Sequence, residues 1–249
     1  MLFLFLRNKP KTMRYFLRKL LGLQISIEHK PMQRKKEVMA LDTICELHAQ
    51  KEAIDTKNGT LDMKKFLIAG LGNIGPQYAN TRHNIGFKIL DALAKEADLS
   101  WETVKLGDIT TYKKKGRTLI LLKPSTFMNL SGKAVKYWMD KENIPIENVL
   151  AVTDDLNLPF GAFRIKGKGS SGGHNGLKDI QEILSTGKYP RFRFGISDAF
   201  SKGGQVDYVI GEWTAEEESQ LITQIPKSIA AIESFALAGL DNTMNTFNG

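Results

Sequence analysis

The sequence predicts a single α/β domain preceded by a basic N-terminal extension. After Met63, apolar stretches typical of strands alternate with amphipathic stretches of helical period, an order that favours a sheet flanked by helices. The 249 residues, 42% of them hydrophobic, are enough to bury one sizeable core. We therefore expect residues 1–62 to form the extension and residues 63–249 to form the domain.

The first half of the domain predicts a strand, a helix and a hairpin. The stretch KFLIAG, residues 65–70, has the composition of a buried strand. A helix is expected from about Asn84 to Ala97, where apolar side chains recur on one face. The stretches DITTYKK and RTLILLK are then expected to pair as a hairpin that turns near Gly116.

The second half predicts further strands and helices in alternation. PSTFMNLSGKAVKYWMDK indicates a turn that leads into a helix, and NVLAVTDD is the most clearly buried strand. GAFRIK predicts the next strand, followed by the glycine-rich GKGSSGGHNG and a helix to Leu184. RFRFGIS alternates as a strand does. A capping box at Thr214 and Glu217 begins a long helix to about Ala238, which we expect Pro226 to kink.

The charge balance favours an anionic partner. The formal net charge is +8, and a basic balance of this size is typical of chains that bind nucleic acid or phosphorylated ligands. Residues 1–62 hold 12 Lys and Arg against 7 Asp and Glu, and the rest of the chain holds 23 against 20. Most of the excess positive charge therefore lies in the extension.

The extension begins with a segment that predicts a basic amphipathic helix. Apolar and basic side chains recur at helical spacing around Phe16 and Arg18, and no acid occurs before Glu28. Three interpretations are open: a targeting or surface-binding segment, a partner helix, or upstream sequence included through an early start codon. The last is favoured by Met63, which directly precedes the first convincing strand.

The cysteine content and the hydropathy of the chain restrict the cellular compartment and the kinds of site that we expect. The single cysteine, Cys45, lies in the extension, so the domain has neither an intrachain disulfide nor a cysteine-based zinc site or nucleophile. A reducing cytoplasm is the simplest expectation. No apolar run reaches the roughly 18 residues of a membrane span, so we expect no membrane partner.

A glycine pattern after the first strand has two interpretations. Gly70, Gly72 and Gly75 match the G-x-G-x-x-G fingerprint of a dinucleotide site. In such a site a helix begins at once and an acid follows about 20 residues later, but here Pro76 follows and Asp91 falls within the first predicted helix. The pattern favours a tight turn and no nucleotide cofactor.

Polar side chains follow several of the predicted strands. Asn73 follows the first strand, Asp154 and Asp155 end NVLAVTDD, and His83 and His174 lie in the loops TRHNIG and GGHNGL. Strand ends of an α/β sheet meet at one edge, where a carboxylate could accept the Nδ1 proton of His83 and leave Nε2 as a base.

The same residues allow a more ordinary interpretation, because a loop histidine often caps a helix. If the histidines are functional, the absence of a G-x-S-x-G or H-E-x-x-H motif favours water activation over covalent or zinc chemistry. No metal is therefore expected.

Asparagine and basic side chains indicate the kind of substrate. Asn73, Asn129 and Asn175 could bind an ester or amide carbonyl, although helix capping is the alternative for the last two. Basic side chains near the glycine-rich stretch could follow a phosphate backbone, with a solvated face as the alternative. They are Lys166, Lys168, Lys178, Arg191 and Arg193.

Four ordered motifs make the combination specific: GLGNIGPQYANTRHNIG, KPSTFMNLSG, DDLNLPFG and GKGSSGGHNGLKDI. From Met63 to about Ala238 the chain closely resembles the bacterial peptidyl-tRNA hydrolase family. The resemblance implies a monomeric α/β domain with a mixed twisted sheet. It also implies hydrolysis of the ester between a peptide and the terminal ribose of tRNA, without a metal or nucleotide cofactor.

The resemblance also implies roles for individual residues. His83 matches the catalytic base of the family, and Asp154 matches the carboxylate that orients it. The other implied roles are the binding of substrate and water by Asn73, Asn129 and Asn175, contact with the peptide and terminal adenosine by Tyr78 and Met128, and contact with tRNA phosphates by Lys166 and Arg193.

The chain departs from the family pattern at three positions. Ile74 replaces the usual proline of Asn-Pro-Gly, and Thr153-Asp154-Asp155 replaces the usual His-Asp-Glu, so that the first acid keeps its place. The choice of Asp154 over Asp155 rests on the resemblance. The alternative function is that of a non-catalytic RNA-binding relative, since plant intron-splicing proteins are similar to this family.

Overall fold

Within residues 64–248, the part of the chain that the computed structural model describes, seven strands form one mixed sheet. In chain order they are β1 (Lys65–Gly70), β2 (Glu102–Val104), β3 (Gly107–Lys114), β4 (Arg117–Pro124), β5 (Val149–Asp155), β6 (Phe163–Lys166) and β7 (Arg191–Gly195). The basic helix predicted near the N-terminus lies outside the described residues.

Helices cover both faces of this sheet. They are α1 (Ile85–Glu96), α2 (Ser131–Lys141), α3 (Asn175–Leu184), α4 (Gln205–Val209), α5 (Ala215–Ala238) and α6 (Leu240–Phe247). The predicted α/β fold with a mixed sheet is therefore confirmed. The sequence did not predict the short β2 and α4, nor the final helix α6. Among residues 64–248, no helix is both long and apolar enough to cross a bilayer.

Four parallel strands occupy the centre of the sheet. The order is β2-β3-β4-β1-β5-β7-β6, in which β1 pairs in parallel with β4 and β5, and β5 pairs in parallel with β7. The strands β3 and β6 pair antiparallel with this group. Because β1 and β5 are parallel neighbours, the residues that follow them meet at one edge of the sheet.

The sheet separates two apolar cores. One face packs against α1 and α5, and the other packs against α2 and α3. The strand β5 is buried along its whole length, as predicted. The strand predicted for RFRFGIS is confirmed as β7, which lies between β5 and β6 with four of its five residues buried.

Two local predictions depend on turn and cap chemistry, and both are confirmed. Lys114 pairs with Arg117, which leaves Lys115 and Gly116 as a two-residue turn with φ of +46° and +72°. Positive φ at both positions is what a tight hairpin requires.

At the start of α5, the Thr214 hydroxyl accepts the Glu217 N–H and the Glu217 carboxylate accepts the Thr214 N–H, which is a complete capping box. The helix continues through Pro226 to Ala238.

The first turn of α1 lies directly against the end of β1. A Cβ at Gly70 would lie 2.5 Å from the carbonyl oxygen of Gly86, and a Cβ at Gly86 would lie 2.6 Å from the carbonyl oxygen of Val152. The neighbouring atoms are backbone, so they cannot move aside as a flexible side chain could. Glycine at both positions therefore allows the helix and two strands to approach closely.

We predict that Gly86→Ala destabilises the fold by about 1–3 kcal/mol, because the added methyl group overlaps backbone atoms. A loss of this size lowers Tm by several degrees in a domain of this length. Gly167→Ala is the matched control, since its Cβ would meet only the end of the Leu240 side chain. Equal melting temperatures of the two variants would contradict the prediction.

Candidate active site

The segment that carries His83 connects β1 to α1. Arg82–Asn84 forms a short 3-10 turn whose side chains are buried. Arg82 donates two hydrogen bonds to Glu217, at 2.9 and 2.7 Å, and its guanidinium lies 4.5 Å from the Tyr208 ring centroid. This ion pair joins the residue before His83 to the start of α5.

His83 and Asp154 form a direct hydrogen-bonded pair. The Nδ1 atom of His83 lies 2.9 and 3.0 Å from the two carboxylate oxygens of Asp154, at the carboxyl end of β5. Because a carboxylate only accepts, Nδ1 carries the proton and Nε2 is the unprotonated nitrogen of the neutral ring. The side chain of His83 is 11% exposed and that of Asp154 is 2% exposed. The pairing of these two residues agrees with the prediction.

His174 is a second partner of Asp154, which the sequence did not predict. Its Nδ1 accepts the Leu177 N–H at 3.2 Å and caps α3, so the ring proton lies on Nε2. The Nε2 atom lies 2.9 Å from Asp154 Oδ1 and also contacts the hydroxyl of Thr153. The ordinary capping interpretation of His174 is therefore correct. No sequence pattern indicated that its other nitrogen would reach Asp154, which lies 20 residues earlier.

The electrostatics of the site centre on the Asp154 carboxylate. Burial opposes its ionisation, but His83 and His174 prevail and hold the pKa of Asp154 well below its usual value. Burial likewise lowers the pKa of His83, while the adjacent carboxylate raises it more strongly, so the pKa of His83 lies above 6.5. Asp154 therefore both orients the His83 ring and makes its imidazole a stronger base.

The three side chains also have the composition of a metal site. Ligand atoms of His83, Asp154 and His174 lie within 4.8 Å of one another. However, metal binding through Nε2 of a neutral His174 would require a proton on Nδ1, which instead accepts the Leu177 N–H. The hydrogen bonds instead fit two imidazole N–H groups, of His83 and His174, that both donate to the Asp154 carboxylate. The expected absence of a metal stays a prediction.

The backbone of Asn73 is held by the side chain of Asn84, the residue after His83. The Asn84 side chain accepts the Asn73 N–H at 2.8 Å and donates to the Asn73 carbonyl at 2.9 Å. The Oδ1 atom of Asn73 accepts the Met128 N–H at 2.8 Å. Within the described residues the Nδ2 group of Asn73 has no hydrogen-bond partner, so it can donate to a substrate oxygen. No sequence pattern indicated this role of Asn84, which occupies the N-cap position of α1 without capping it.

Asn129 and Asn175 are exposed, and neither caps a helix. The N-cap of α3 is His174, one residue before Asn175, and the residue at the N-cap of α2 is Leu130, one residue after Asn129. The capping alternative for these two asparagines is therefore wrong.

Tyr78 is half-buried at the end of the 3-10 turn Pro76–Tyr78, and Met128 is buried. A cavity of about 470 Å³ opens next to Asn73 and Asn84, lined also by Ile74, Phe87 and Lys88.

The basic residues differ in accessibility. Lys166 is exposed on β6, whereas Arg193 is 14% exposed and its Nε lies 3.0 Å from Asp155 Oδ2 without pointing at it as a hydrogen-bond donor. Arg191 is 1% exposed, so its predicted role in following a phosphate backbone is wrong. The burial of Arg191 beneath a loop could not be predicted from the pattern of residues along its strand.

The glycines after β1 do not form a dinucleotide site. Gly75 has a φ of +109° and leads into a three-residue 3-10 turn, whereas a pyrophosphate site requires the start of an α-helix. Gly70 serves the close contact with Gly86. The alternative of a nucleotide-binding enzyme therefore has no support in this geometry.

The mixed α/β sheet and the histidine–carboxylate pair at its carboxyl edge are the arrangement expected of a hydrolytic enzyme that activates water. The family model described as peptidyl-tRNA hydrolase matches residues 67–249. The chain belongs to this family.

Individual relatives agree with this assignment. Over 184 residues, 74% of the chain, it is 58% identical to a peptidyl-tRNA hydrolase of Bacteroides fragilis and 52% identical to one of Porphyromonas gingivalis. The alignments cover 98% and 100% of those proteins. A crystal structure of the Acinetobacter baumannii peptidyl-tRNA hydrolase matches with a TM-score of 0.70 and 31% identity, over 75% of this chain and 96% of that one.

We predict that Asp154→Asn lowers the pKa of His83. The carboxylate that raises this pKa is lost while the burial that lowers it remains. Since the resemblance implies that the neutral ring is the base, wild-type activity should fall as the pH drops through the raised pKa of His83, and the midpoint of the variant should lie at lower pH. The variant should also lose about 10²-fold or more in rate, because its ring is no longer oriented. NMR titration of the His83 ring protons measures the shift, and an unchanged midpoint would contradict the assignment.

Proposed function

We propose that the chain hydrolyses the ester bond between the peptide and the tRNA of peptidyl-tRNA, and that His83 activates the attacking water. The observation that carries the proposal is the pair formed by His83 Nδ1 and both oxygens of Asp154, which leaves Nε2 as the basic nitrogen. Membership in the peptidyl-tRNA hydrolase family supplies the substrate class.

The first step is proton transfer from water to His83. A water molecule that donates to Nε2 loses its proton as its oxygen attacks the ester carbonyl carbon. The ring then carries two protons, and the buried carboxylate of Asp154 stabilises this charged form. The same proton can pass to the ribose oxygen as the ester bond breaks, which releases free tRNA and peptide.

The carbonyl oxygen gains negative charge during the attack. Asn73 is placed to stabilise it, because its Oδ1 is engaged by Met128 and its Nδ2 hydrogens then face away from that bond. Asn129 and Asn175 are exposed amides that follow Met128 and His174 in the chain. We assign Asn129 and Asn175 to the binding of substrate and water, and Tyr78 and Met128 to contact with the peptide and terminal adenosine.

The tRNA body requires a basic surface. Lys166, Lys168 and Lys178 are exposed on and around the loop between β6 and α3, and Arg193 retains partial exposure there. We assign Lys166 and Arg193 to phosphate contacts. We also propose that the protein acts as a monomer in the cytoplasm, as the family resemblance implies, and that residues 63–249 are sufficient for activity.

We predict that His83→Ala reduces turnover of peptidyl-tRNA by about 10²- to 10⁴-fold, the usual contribution of a general base. The affinity for tRNA should be retained, because the substitution removes no surface cation. Release of labelled peptide measures turnover, and a filter-binding assay measures the affinity. Near-normal turnover of the variant would refute the role of His83, and a wild-type chain that binds tRNA without releasing peptide would indicate a non-catalytic RNA-binding relative.

We predict that Asn73→Asp reduces turnover by about 10²- to 10³-fold while the fold is retained. An aspartate keeps an oxygen that can accept the Met128 N–H, but it replaces the donating Nδ2 group with a second acceptor. Ile74→Ala serves as the neighbouring control, since this side chain is exposed. Single-turnover kinetics distinguish the chemical step from binding. Equal rates for Asn73→Asp and the control would remove Asn73 from the mechanism.

A further inference from the structure

A buried arginine lies beneath the glycine-rich loop, residues 167–173, that connects β6 to α3. Arg191 is 1% exposed at the start of β7, so its side chain is not accessible to a large ligand. The guanidinium lies 4.2 Å from the centroid of the Tyr189 ring, which closes one side. An arginine in this position acts on its surroundings only through the groups that it contacts.

Those groups are two backbone carbonyls of the loop and the carbonyl of Gly187, which lies between α3 and β7. One terminal nitrogen of Arg191 donates to the carbonyls of Gly169 and Ser170 at 2.9 and 3.0 Å, and the other donates to that of Gly187 at 2.9 Å. The Gly169 N–H donates in turn to the Gly187 carbonyl at 3.1 Å. A planar guanidinium can reach three carbonyls at once, which the single ammonium of a lysine cannot do in the same geometry.

The charge of Arg191 has no carboxylate partner among the described residues. The Nε of Arg191 is also buried without an acceptor within residues 64–248. Burial lowers the pKa of Arg191, which is the expected cost of keeping a cation among neutral groups. Carbonyl dipoles and the face of the Tyr189 ring therefore stabilise this cation, and the positions of the Gly169 and Ser170 carbonyls depend on the conformation of the loop.

The loop connects two parts of the proposed binding surface. Lys166 lies just before it, and His174 and Asn175 lie just after it. A Cβ at Gly172 would collide with the guanidinium of Arg193, so the second arginine of β7 also lies against the loop. The shape of the loop thus determines where Lys166 and Lys168 stand relative to Asn175.

We propose that Arg191 is a positioning residue for tRNA binding. It holds the Gly169–Ser170 backbone in the shape that presents the surrounding cations and Asn175 to the substrate, and it does not itself contact a phosphate. This inference rests on the proposed function, because it takes tRNA as the ligand of the loop.

The dependence of tRNA binding on salt separates positioning from direct contact. A residue that contacts a phosphate releases a counterion, so its removal lowers the slope of log Kd against log salt by roughly 0.7–0.9. We expect Arg191→Met in the full chain to raise the Kd for uncharged tRNA about tenfold with an unchanged slope, because hydrogen bonds that order the loop are lost. Lys166→Ala is the comparison for direct contact and should lower the slope.

Gln181→Ala is the matched variant without a change of charge. The Gln181 side chain donates to the same Gly169 carbonyl at 2.8 Å from the exposed side. Its loss should raise Kd by about two- to threefold, also without a change of slope, since one tether of the loop is removed and Arg191 remains. Steady-state kinetics of Arg191→Met should show the increase in KM, with kcat within about threefold of wild type.

Three results would overturn the proposal. A slope reduced by about one charge in Arg191→Met would show direct phosphate contact, and wild-type Kd would show that the loop does not need Arg191. A lower kcat with an unchanged KM would show an effect on chemistry alone.

If Arg191→Met does not fold, Arg191→Lys decides: a raised Kd with an unchanged slope supports the proposal, and wild-type Kd refutes it. A wild-type chain that binds tRNA but releases no peptide would refute the proposed function, while the Kd comparison would still decide the role of Arg191.

Discussion

The backbone contact between the end of β1 and the first turn of α1 is the constraint on which the candidate site depends. Gly70 and Gly86 lack side chains where the strand and the helix meet, so the helix can start close to the carboxyl edge of the sheet. The side chain of Asn84, just before the helix, then hydrogen-bonds to both the N–H and the carbonyl of Asn73. The G-x-G-x-x-G pattern usually indicates phosphate binding. Here its first glycine allows the close contact of β1 with α1, the two elements whose connecting segment contains Asn73 and His83.

The buried charge of Asp154 is the second organising feature. A carboxylate that is 2% exposed would be costly without partners, and two imidazole N–H groups supply them. The same carboxylate fixes the tautomer of His83 and raises its pKa. Because His174 also caps α3, the position of that helix is tied to the charge that supports the proposed base.

The parts that could be predicted from sequence were those with local causes. The turn at Lys115 and Gly116 follows from the need for positive φ, the capping box at Thr214 from the reach of its own side chain, and the strand β5 from an unbroken apolar run. A pairing of His83 with a carboxylate at the end of β5 was predicted because residues after parallel neighbouring strands meet at one edge of the sheet. The choice of Asp154 over Asp155 came from the family resemblance.

The sequence by itself determined the α/β class, the strand that ends in Asp154, the loop before the first helix that contains His83, and the family. The tertiary structure alone decided that His174 also binds Asp154, that Asn84 hydrogen-bonds to the backbone of Asn73 instead of capping α1, and that Arg191 is buried and cannot follow a phosphate backbone. The physical reason is that a hydrogen-bond partner is set by distances within a few tenths of an ångström. Such distances depend on how whole elements pack, and a spacing of residues along the chain does not contain them.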